Sequence, residues 1–246
     1  LAFILFISKN IIYNITSHMN IALIGSGGRE HAITKNIYKS KKISKIYCIP
    51  GNAGTSEFAI NLNVDFSNFS LLLGTLKIYN IKFVIVGPEQ PLVDGLSDYL
   101  RKNNVKVFGP DKYTAQLEGS KAFMKSLCKN NSIPTANFKI CKKPIEVLRF
   151  LKNSRMPVVV KADGLAAGKG VTICKTKKEV VKISKEIFEG KFKTSKKLVL
   201  EEFLKGEEAS YFIVVDKKSF SFIGSAQDHK RVGEGETGPN TGGMGA

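Results

Sequence analysis

The sequence predicts an α/β protein: a parallel-sheet domain comes first and a mixed α+β domain follows. Three observations carry that reading. From Met19 onward, short β-branched runs alternate with longer stretches of helical pattern, as in strands joined by helical crossovers. Glycine turns follow the early strands, at Gly25–Gly28 and at Gly87. Later, Val158–Lys161 and Val171–Cys174 are apolar runs separated by a glycine-rich tip, which reads as a hairpin rather than a crossover.

Taken in order, Ile21–Ile24 reads as the first strand, Arg29–Tyr38 as a helix and Ile43–Cys48 as the second strand. The polar loop Pro50–Gly54 follows. Phe69–Tyr79 is expected to be a helix, Phe83–Val86 a strand, Leu92–Leu100 a helix and Val105–Phe108 a short strand. Leu117–Lys125 starts a helix with Ser120 as a plausible cap. Asn137–Ile140 and Val158–Lys161 are strands flanking a helix at Pro144–Lys152, and Glu179–Phe188 is helical. Leu198–Leu204 is a strand running into acidic residues, Gly206–Val215 another, and Phe220–Gly224 its hairpin partner. Gln227–Gly245 has little apolar content and is expected to be a substrate loop.

At 246 residues and 43% hydrophobic, the chain can bury a core and holds more than one domain. Its charge of +17 raises the question of nucleic acid. The lysines, however, are scattered, Trp is absent, and no basic stripe is interleaved with stacking aromatics, so no nucleic-acid partner is expected. Four cysteines without C-x-x-C spacing and three dispersed histidines offer no metal knuckle or redox dithiol, which fits a reduced, cytoplasmic protein. Leu1–Ile7 is apolar but too short to span a bilayer, so no membrane partner is expected. Residues 1–18 are expected to be an upstream extension outside the fold, with Met19 the natural start; an organellar targeting segment is the alternative.

Several stretches carry chemistry. Gly25-Ser-Gly27-Gly28-Arg29-Glu30 resembles the dinucleotide fingerprint but has Glu30 in place of the third glycine. It reads either as a phosphate site at a helix N-terminus or as a plain helix cap. In Val86-Gly-Pro-Glu89-Gln-Pro91, two prolines stiffen the chain around one carboxylate, which suits ribose hydroxyls or simply starts a helix. The tip Lys161-Ala-Asp-Gly164-Leu165-Ala166-Ala167-Gly168-Lys169-Gly170 fails the P-loop pattern at both ends. It reads as a loop lying over a polyphosphate, with N–H groups and two ammonium groups directed at one anion. Lys121 stands near a phosphate if its helix end faces the ligand. Glu201–Leu204 can offer backbone groups to an adenine edge and Glu208 a carboxylate to ribose hydroxyls; the bland alternative is an acidic turn between strands.

Assembled, these stretches resemble the phosphoribosylamine–glycine ligases, also called glycinamide ribonucleotide synthetases, a family of ATP-grasp enzymes of purine synthesis. The resemblance runs from Met19 to Ala246 through Gly27-Gly-Arg-Glu-His31, Pro50-Gly-Asn-Ala-Gly-Thr55, Val86-Gly-Pro-Glu89, Leu117-Glu-Gly-Ser-Lys-Ala-Phe123, Lys161–Gly170, Glu201-Glu-Phe-Leu204, Gln227-Asp-His-Lys-Arg231 and Thr237–Ala246. It implies a Rossmann-like, pre-ATP-grasp domain over 19–119, an ATP-grasp lid subdomain over 120–195 and the start of an incomplete ATP-grasp core over 196–246. It also implies a ligase that joins glycine to 5-phosphoribosylamine with ATP. The rival readings are a nicotinamide oxidoreductase, which would need a glycine at Glu30 and has no use for the lysine loop, a basic nucleic-acid-binding module, and a related carboxylase or ligase of purine synthesis. Carried over by position, Gly27, Gly28, Arg29, Glu30, Asn52 and Glu89 would hold phosphoribosylamine. Lys121, Lys161 and Gly164, Leu165, Ala166, Ala167, Gly168, Lys169 and Gly170 would hold the ATP phosphates. Glu201, Glu202, Phe203, Leu204 and Glu208 would hold adenosine. Lys161, Asp228 and Lys230 would be catalytic, with Asp228 and Lys230 near glycine. Mg2+ or Mn2+ would be held by residues past 246, leaving this stretch inactive alone. Fusion to, or contact with, other purine enzymes is the implied partner arrangement.

Overall fold

The computed structural model describes residues 5–6, 18–166, 170–192, 197–216, 218–235 and 237–245. The chain divides into two compact units. One runs to Ala115 and includes Tyr211–Gly224; the other comprises Gln116–Ser210 and the chain from Ser225.

In the first unit, β1 (Leu5–Phe6) precedes a five-stranded parallel sheet of β2 (Met19–Gly25), β3 (Ile43–Pro50), β4 (Ile60–Asn61), β5 (Ile81–Val86) and β6 (Lys106–Phe108). Their order is β4-β3-β2-β5-β6. The continuous apolar runs follow from burial on both faces. Ala22, Ile24, Ile49, Val84 and Val86 face one core, while Ile21, Leu23, Ile46 and Cys48 face another. Helices α1 (Gly28–Ile37), α2 (Phe69–Ile78), α3 (Glu89–Asp94) and α4 (Leu96–Lys102) complete the crossovers. The single helix expected over Leu92–Leu100 is two helices. Gly95 adopts φ +99°, and its N–H closes on Leu92 O at 3.1 Å, a left-handed C-cap that ends α3. β1 pairs in parallel with β11 (Ser210–Val215), which neighbours β12 (Phe220–Ala226).

The second unit opens with α5 (Gln116–Gly119) and α6 (Lys121–Asn130). Ser120 is extended between them and its Oγ accepts from Phe123 N, the cap expected there. Next come β7 (Phe138–Cys141), α7 (Pro144–Lys152), β8 (Val158–Ala162), β9 (Val171–Cys174), α8 (Lys177–Phe188) and β10 (Leu198–Glu202). The sheet order is β7-β10-β8-β9, with every neighbour antiparallel. β10 is thus a central strand of the sheet that it forms with β7, β8 and β9. Leu198, Val199 and Leu200 are fully buried and need a strand on either side. On one face Val158, Val160, Ala162, Leu198 and Leu200 pack against Val147 and Leu151 of α7 and Val180 and Ile187 of α8.

The segment expected to be a polar loop is corrected. β13 (Asp228–Gly233) and β14 (Thr237–Gly245) form an antiparallel pair with irregular register. Backbone hydrogen bonds hold such a ladder without an apolar face, so the alternation on which strand prediction relies is missing.

Candidate functional site

In the first unit the strand order reverses between β2 and β5, whose C-terminal ends open the crevice where α/β sheets bind ligands. The Gly25 turn and the Gly87–Glu89 loop meet there. Gly87 N donates to Ile24 O at 3.1 Å, and Gly51 N donates to Gly25 O at 3.1 Å. Arg29, on the first turn of α1, reaches across: its Nη1 donates to Gly87 O at 2.5 Å and its Nη2 pairs with Glu89 Oε1 at 3.1 Å. Both side chains remain partly exposed, at 45% and 29%.

Glu30 behaves differently from its neighbours. It is buried, and its Oε2 accepts from Gly27 N at 2.5 Å, so the carboxylate turns back onto the start of its own helix. A Cβ at Gly25, Gly27 or Gly87 would lie within 3 Å of that carboxylate group. The carboxylate in the place of the fingerprint's third glycine is thus enclosed by glycines on three sides. Asn52 is a brace as well: its Nδ2 donates to Ser26 O at 2.9 Å and Gly27 O at 3.1 Å, while Oδ1 accepts from Thr55 N at 2.9 Å. Gly27 is therefore held through its N–H by Glu30 and through its carbonyl by Asn52, just before Gly28 opens the helix.

In the second unit the sheet's other face carries the site. Antiparallel partners point the same way, so Phe138 and Glu201, Val199 and Lys161, and Val159 and Glu201 share this face. Lys161 Nζ lies 2.9 Å from Glu201 Oε2. From α6, Lys125 Nζ reaches the same oxygen at 3.0 Å. Lys121, one helical turn earlier and so on the same side of α6, donates from Nζ to Gly164 O at 2.8 Å. Burial pushes the Lys121 ammonium below its ordinary range. The Lys161 charge adds to that, against the opposing pull of Glu118, Asp163 and Glu201. Lys121 and Lys161 thus lie within electrostatic reach of each other beside the end of β8.

Asp163 holds this arrangement together. Its carboxylate is buried at 3% exposure. It accepts from Ser120 Oγ and from Ala122 N, both at 3.0 Å, and pairs with Lys197 at 3.3 Å. The first turn of α6 is thereby latched to the end of β8, which fixes Lys121 relative to Lys161. The tip beyond turns at Gly164, with φ +94°. Gly170 O accepts from Ala162 N at 2.8 Å, and a Cβ at Gly170 would come within 2.7 Å of Ala166 Cβ. Leu165 and Ala166 lead from this turn, whereas Ala167, Gly168 and Lys169 lie outside the described residues.

At the end of β10, Glu202 is committed to Asn137: its N–H donates to Asn137 O at 3.0 Å, and its carboxylate accepts from Asn137 N at 2.8 Å and Nδ2 at 3.1 Å. Those contacts hold its carboxylate below the usual range. Phe203 and Leu204 follow the strand and are exposed. Glu208 and Lys230, expected in separate roles, form an ion pair with each other. Asp228 and Lys230 alternate with exposed His229 on β13, so they share a strand face. Reasoning from sequence missed Lys125 and Asp163. A lysine at i+4 from Lys121 and an acid beside Gly164 were visible signals, but only their burial gives them meaning.

Among the described residues, no cluster of three His, Cys, Asp or Glu side chains could hold a metal ion. The nearby carboxylates do not fit a divalent cation, since Asp163 is held by Ser120, Ala122 and Lys197, Glu201 by two lysines, and Glu208 by Lys230. No helix among the described residues is long and apolar enough to cross a membrane.

Comparison with known proteins matches both units. Residues 19–118 match the N domain of phosphoribosylglycinamide synthetase, and residues 119–246 match its ATP-grasp (A) domain. The chain is 46% identical over 229 residues to the phosphoribosylamine–glycine ligase of Agrobacterium fabrum, covering 93% of this chain and 54% of that protein. It is 44% identical over 233 residues to that of Clostridium acetobutylicum, covering 93% and 55%. The crystal structure of the Thermotoga maritima phosphoribosylamine–glycine ligase superposes with a TM-score of 0.77 at 34% identity, covering 92% of this chain and 54% of that one. A biotin carboxylase domain from Hydrogenobacter thermophilus, solved with MgADP, covers 87% of this chain and 51% of its own with a TM-score of 0.72; at 18% identity it is similar in fold. The chain spans about half the length of the curated relatives it matches. With a reversed parallel sheet, an antiparallel lysine-bearing sheet and both domain matches in one chain, this protein belongs to the phosphoribosylglycinamide synthetase family.

Proposed function

We propose that this chain carries the phosphoribosylamine-binding domain and most of the ATP-binding surface of a ligase that joins glycine to 5-phosphoribosylamine, in purine synthesis in the cytoplasm. The observation that carries this reading is the pairing of Lys121 and Lys161 at the end of β8, latched by Asp163, in a segment that matches an ATP-grasp domain.

A carboxylate is a poor electrophile at neutral pH. In the proposed reaction a glycine oxygen attacks the γ-phosphorus of ATP, the bond to the bridging oxygen breaks, and ADP leaves. The amine of phosphoribosylamine then attacks the acyl carbon and loses a proton, and the C–O bond to phosphate breaks. Lys121 and Lys161 stabilise charge on the transferring group. The Gly164–Gly170 tip, with Lys169, covers the phosphates. The exposed Phe203–Leu204 backbone takes the adenine edge, and Glu208 the ribose hydroxyls once Lys230 turns toward the glycine carboxylate beside Asp228. In the first unit, Gly27, Gly28 and Arg29 bind the sugar phosphate and Glu89 the ribose. Glu30 and Asn52 are positioning residues, since their polar atoms brace the turn. Magnesium or manganese would supply positive charge to the ATP phosphates, held by carboxylates other than Asp163, Glu201 and Glu208. Fusion to another purine enzyme, or contact with one, is a further part of this reading.

The test is twofold. The 246-residue chain should bind ATP but release no ADP in a glycine-dependent manner. The full-length ligase should do both, and Lys161→Ala in it should cost about 10²- to 10³-fold in turnover. Near-normal turnover in that variant would remove Lys161 from the reaction.

A further inference from the structure

Lys125 has no role in the reaction drawn above, yet among the described residues it is the most deeply buried lysine of the second unit, at 3% exposure. Burying an ammonium group costs several kcal/mol unless it is paired. Its partner is Glu201, whose Oε2 takes Lys125 at 3.0 Å and Lys161 at 2.9 Å. Lys125's other close contacts are Thr135 Oγ1 at 2.6 Å and the face of Phe138 at 5.7 Å, and its charge also reaches the Glu202 carboxylate, which Asn137 holds by hydrogen bonds. Glu201 Oε1 is buried without a hydrogen-bond partner among the described residues, so the two lysines supply the compensation of this carboxylate.

Counting charge gives the consequence. Lys161 with Glu201 alone would be a neutral pair. Lys125 raises the trio to a net charge of +1. The Lys125 side chain is 4% exposed, the Glu201 side chain 5% and the Lys161 side chain 26%. The surplus is therefore presented at Lys161, the end open to solvent.

We propose that Lys125 is a positioning residue for the nucleotide phosphates, one that half-neutralises Glu201 from behind and leaves Lys161 its charge for an anion. Glu201 is then the hub of the phosphate site through its side chain, whatever its backbone offers to adenine. This inference rests on the nucleotide-site reading above, and the test separates the two.

The experiment measures binding of ATP and of adenosine to the 246-residue chain, wild type and variants, by calorimetry at two salt concentrations, with circular dichroism to monitor folding. Lys125→Met keeps the stem and leaves Glu201 paired with Lys161. It should weaken ATP about tenfold, the scale of one unit charge at roughly 10 Å in a protein-like dielectric, and reduce the salt dependence. Adenosine, which has no phosphate, should bind within about twofold of wild type. Lys125→Arg should retain ATP affinity. The decisive variant is Lys125→Met with Glu201→Gln, which returns the trio to +1 and should recover ATP affinity lost in the single variant. A merely structural lysine predicts the opposite: equal losses for ATP and adenosine, or a double variant weaker than the single. Either result overturns the proposal. If Lys125→Met does not fold, the arginine and double variants still decide it. Wild-type chain that binds adenosine but not ATP refutes the phosphate site, and chain that binds neither refutes the nucleotide reading beneath it.

Discussion

Cutting the Asp163 carboxylate should loosen α6 from β8. In Asp163→Ala, the buried Ala122 N–H loses its acceptor, at about 1–3 kcal/mol for an unsatisfied buried donor. Ser120 Oγ loses one as well, though it keeps its bond to Phe123 N and can turn toward water. The Lys197 ion pair adds little, because that side chain is 42% exposed and screened. The sum is about 3 kcal/mol. With a urea m-value of about 2 kcal/mol/M, the midpoint of the second unit's transition falls by about 1.5 M. Asp163→Asn keeps an Oδ1 acceptor and loses only the charge, so it should cost about 1 kcal/mol. The assay is urea unfolding followed by far-UV circular dichroism, since the chain has no Trp. Hydrogen exchange across Lys121–Asn130 gives the local readout, and it should accelerate in the alanine variant. Equal effects of alanine and asparagine would refute the latch, as would an unchanged exchange rate in α6.

Three further outcomes follow from the geometry. Gly87→Ala places a Cβ 2.0 Å from Glu30 Oε1 and 3.0 Å from Ile24 O, so it should destabilise the first unit by about 1–3 kcal/mol; adding Glu30→Ala should recover part of the loss, and strict additivity in thermal unfolding would argue against the contact. Because burial lowers the Lys121 pKa, the unliganded protein holds fewer protons there than a free lysine does between the depressed value and about 10.4. Stability from this group rises with pH across that window as the unfolded chain loses its proton, and a bound phosphate should restore the proton, so calorimetry of ATP binding near pH 9.5 in buffers of different ionisation enthalpy should show proton uptake that Lys121→Met abolishes. Burial pushes the Cys141 thiol up to about 11 and raises those of Cys48 and Cys174, so iodoacetamide at pH 8 should label half-exposed Cys128 first and the other three only on unfolding.

The sequence by itself determined the fold class, because apolar runs that must be buried on both faces can be read without coordinates. Ile21–Ile24 and Val158–Lys161 became β2 and β8 within a residue or two. The glycine turns after β2 and β5 were legible for a similar reason: a strand followed directly by glycines is a local pattern. Tertiary structure decided what depends on distant partners. β10 lies between β7 and β8 although it follows both in sequence, since its burial on both faces needs a neighbour on each side. β13 and β14 are strands through backbone pairing alone, a force that leaves no apolar pattern. Glu30, Asn52, Glu201 and Glu202 enter as ligand contacts through resemblance. That their side chains also engage Gly27, Ser26, two lysines and Asn137 within the fold depends on what folds against them. Asp163 and Lys125 were silent for the converse reason: a charge becomes a latch or a counterweight only when burial removes the water that would otherwise solvate it.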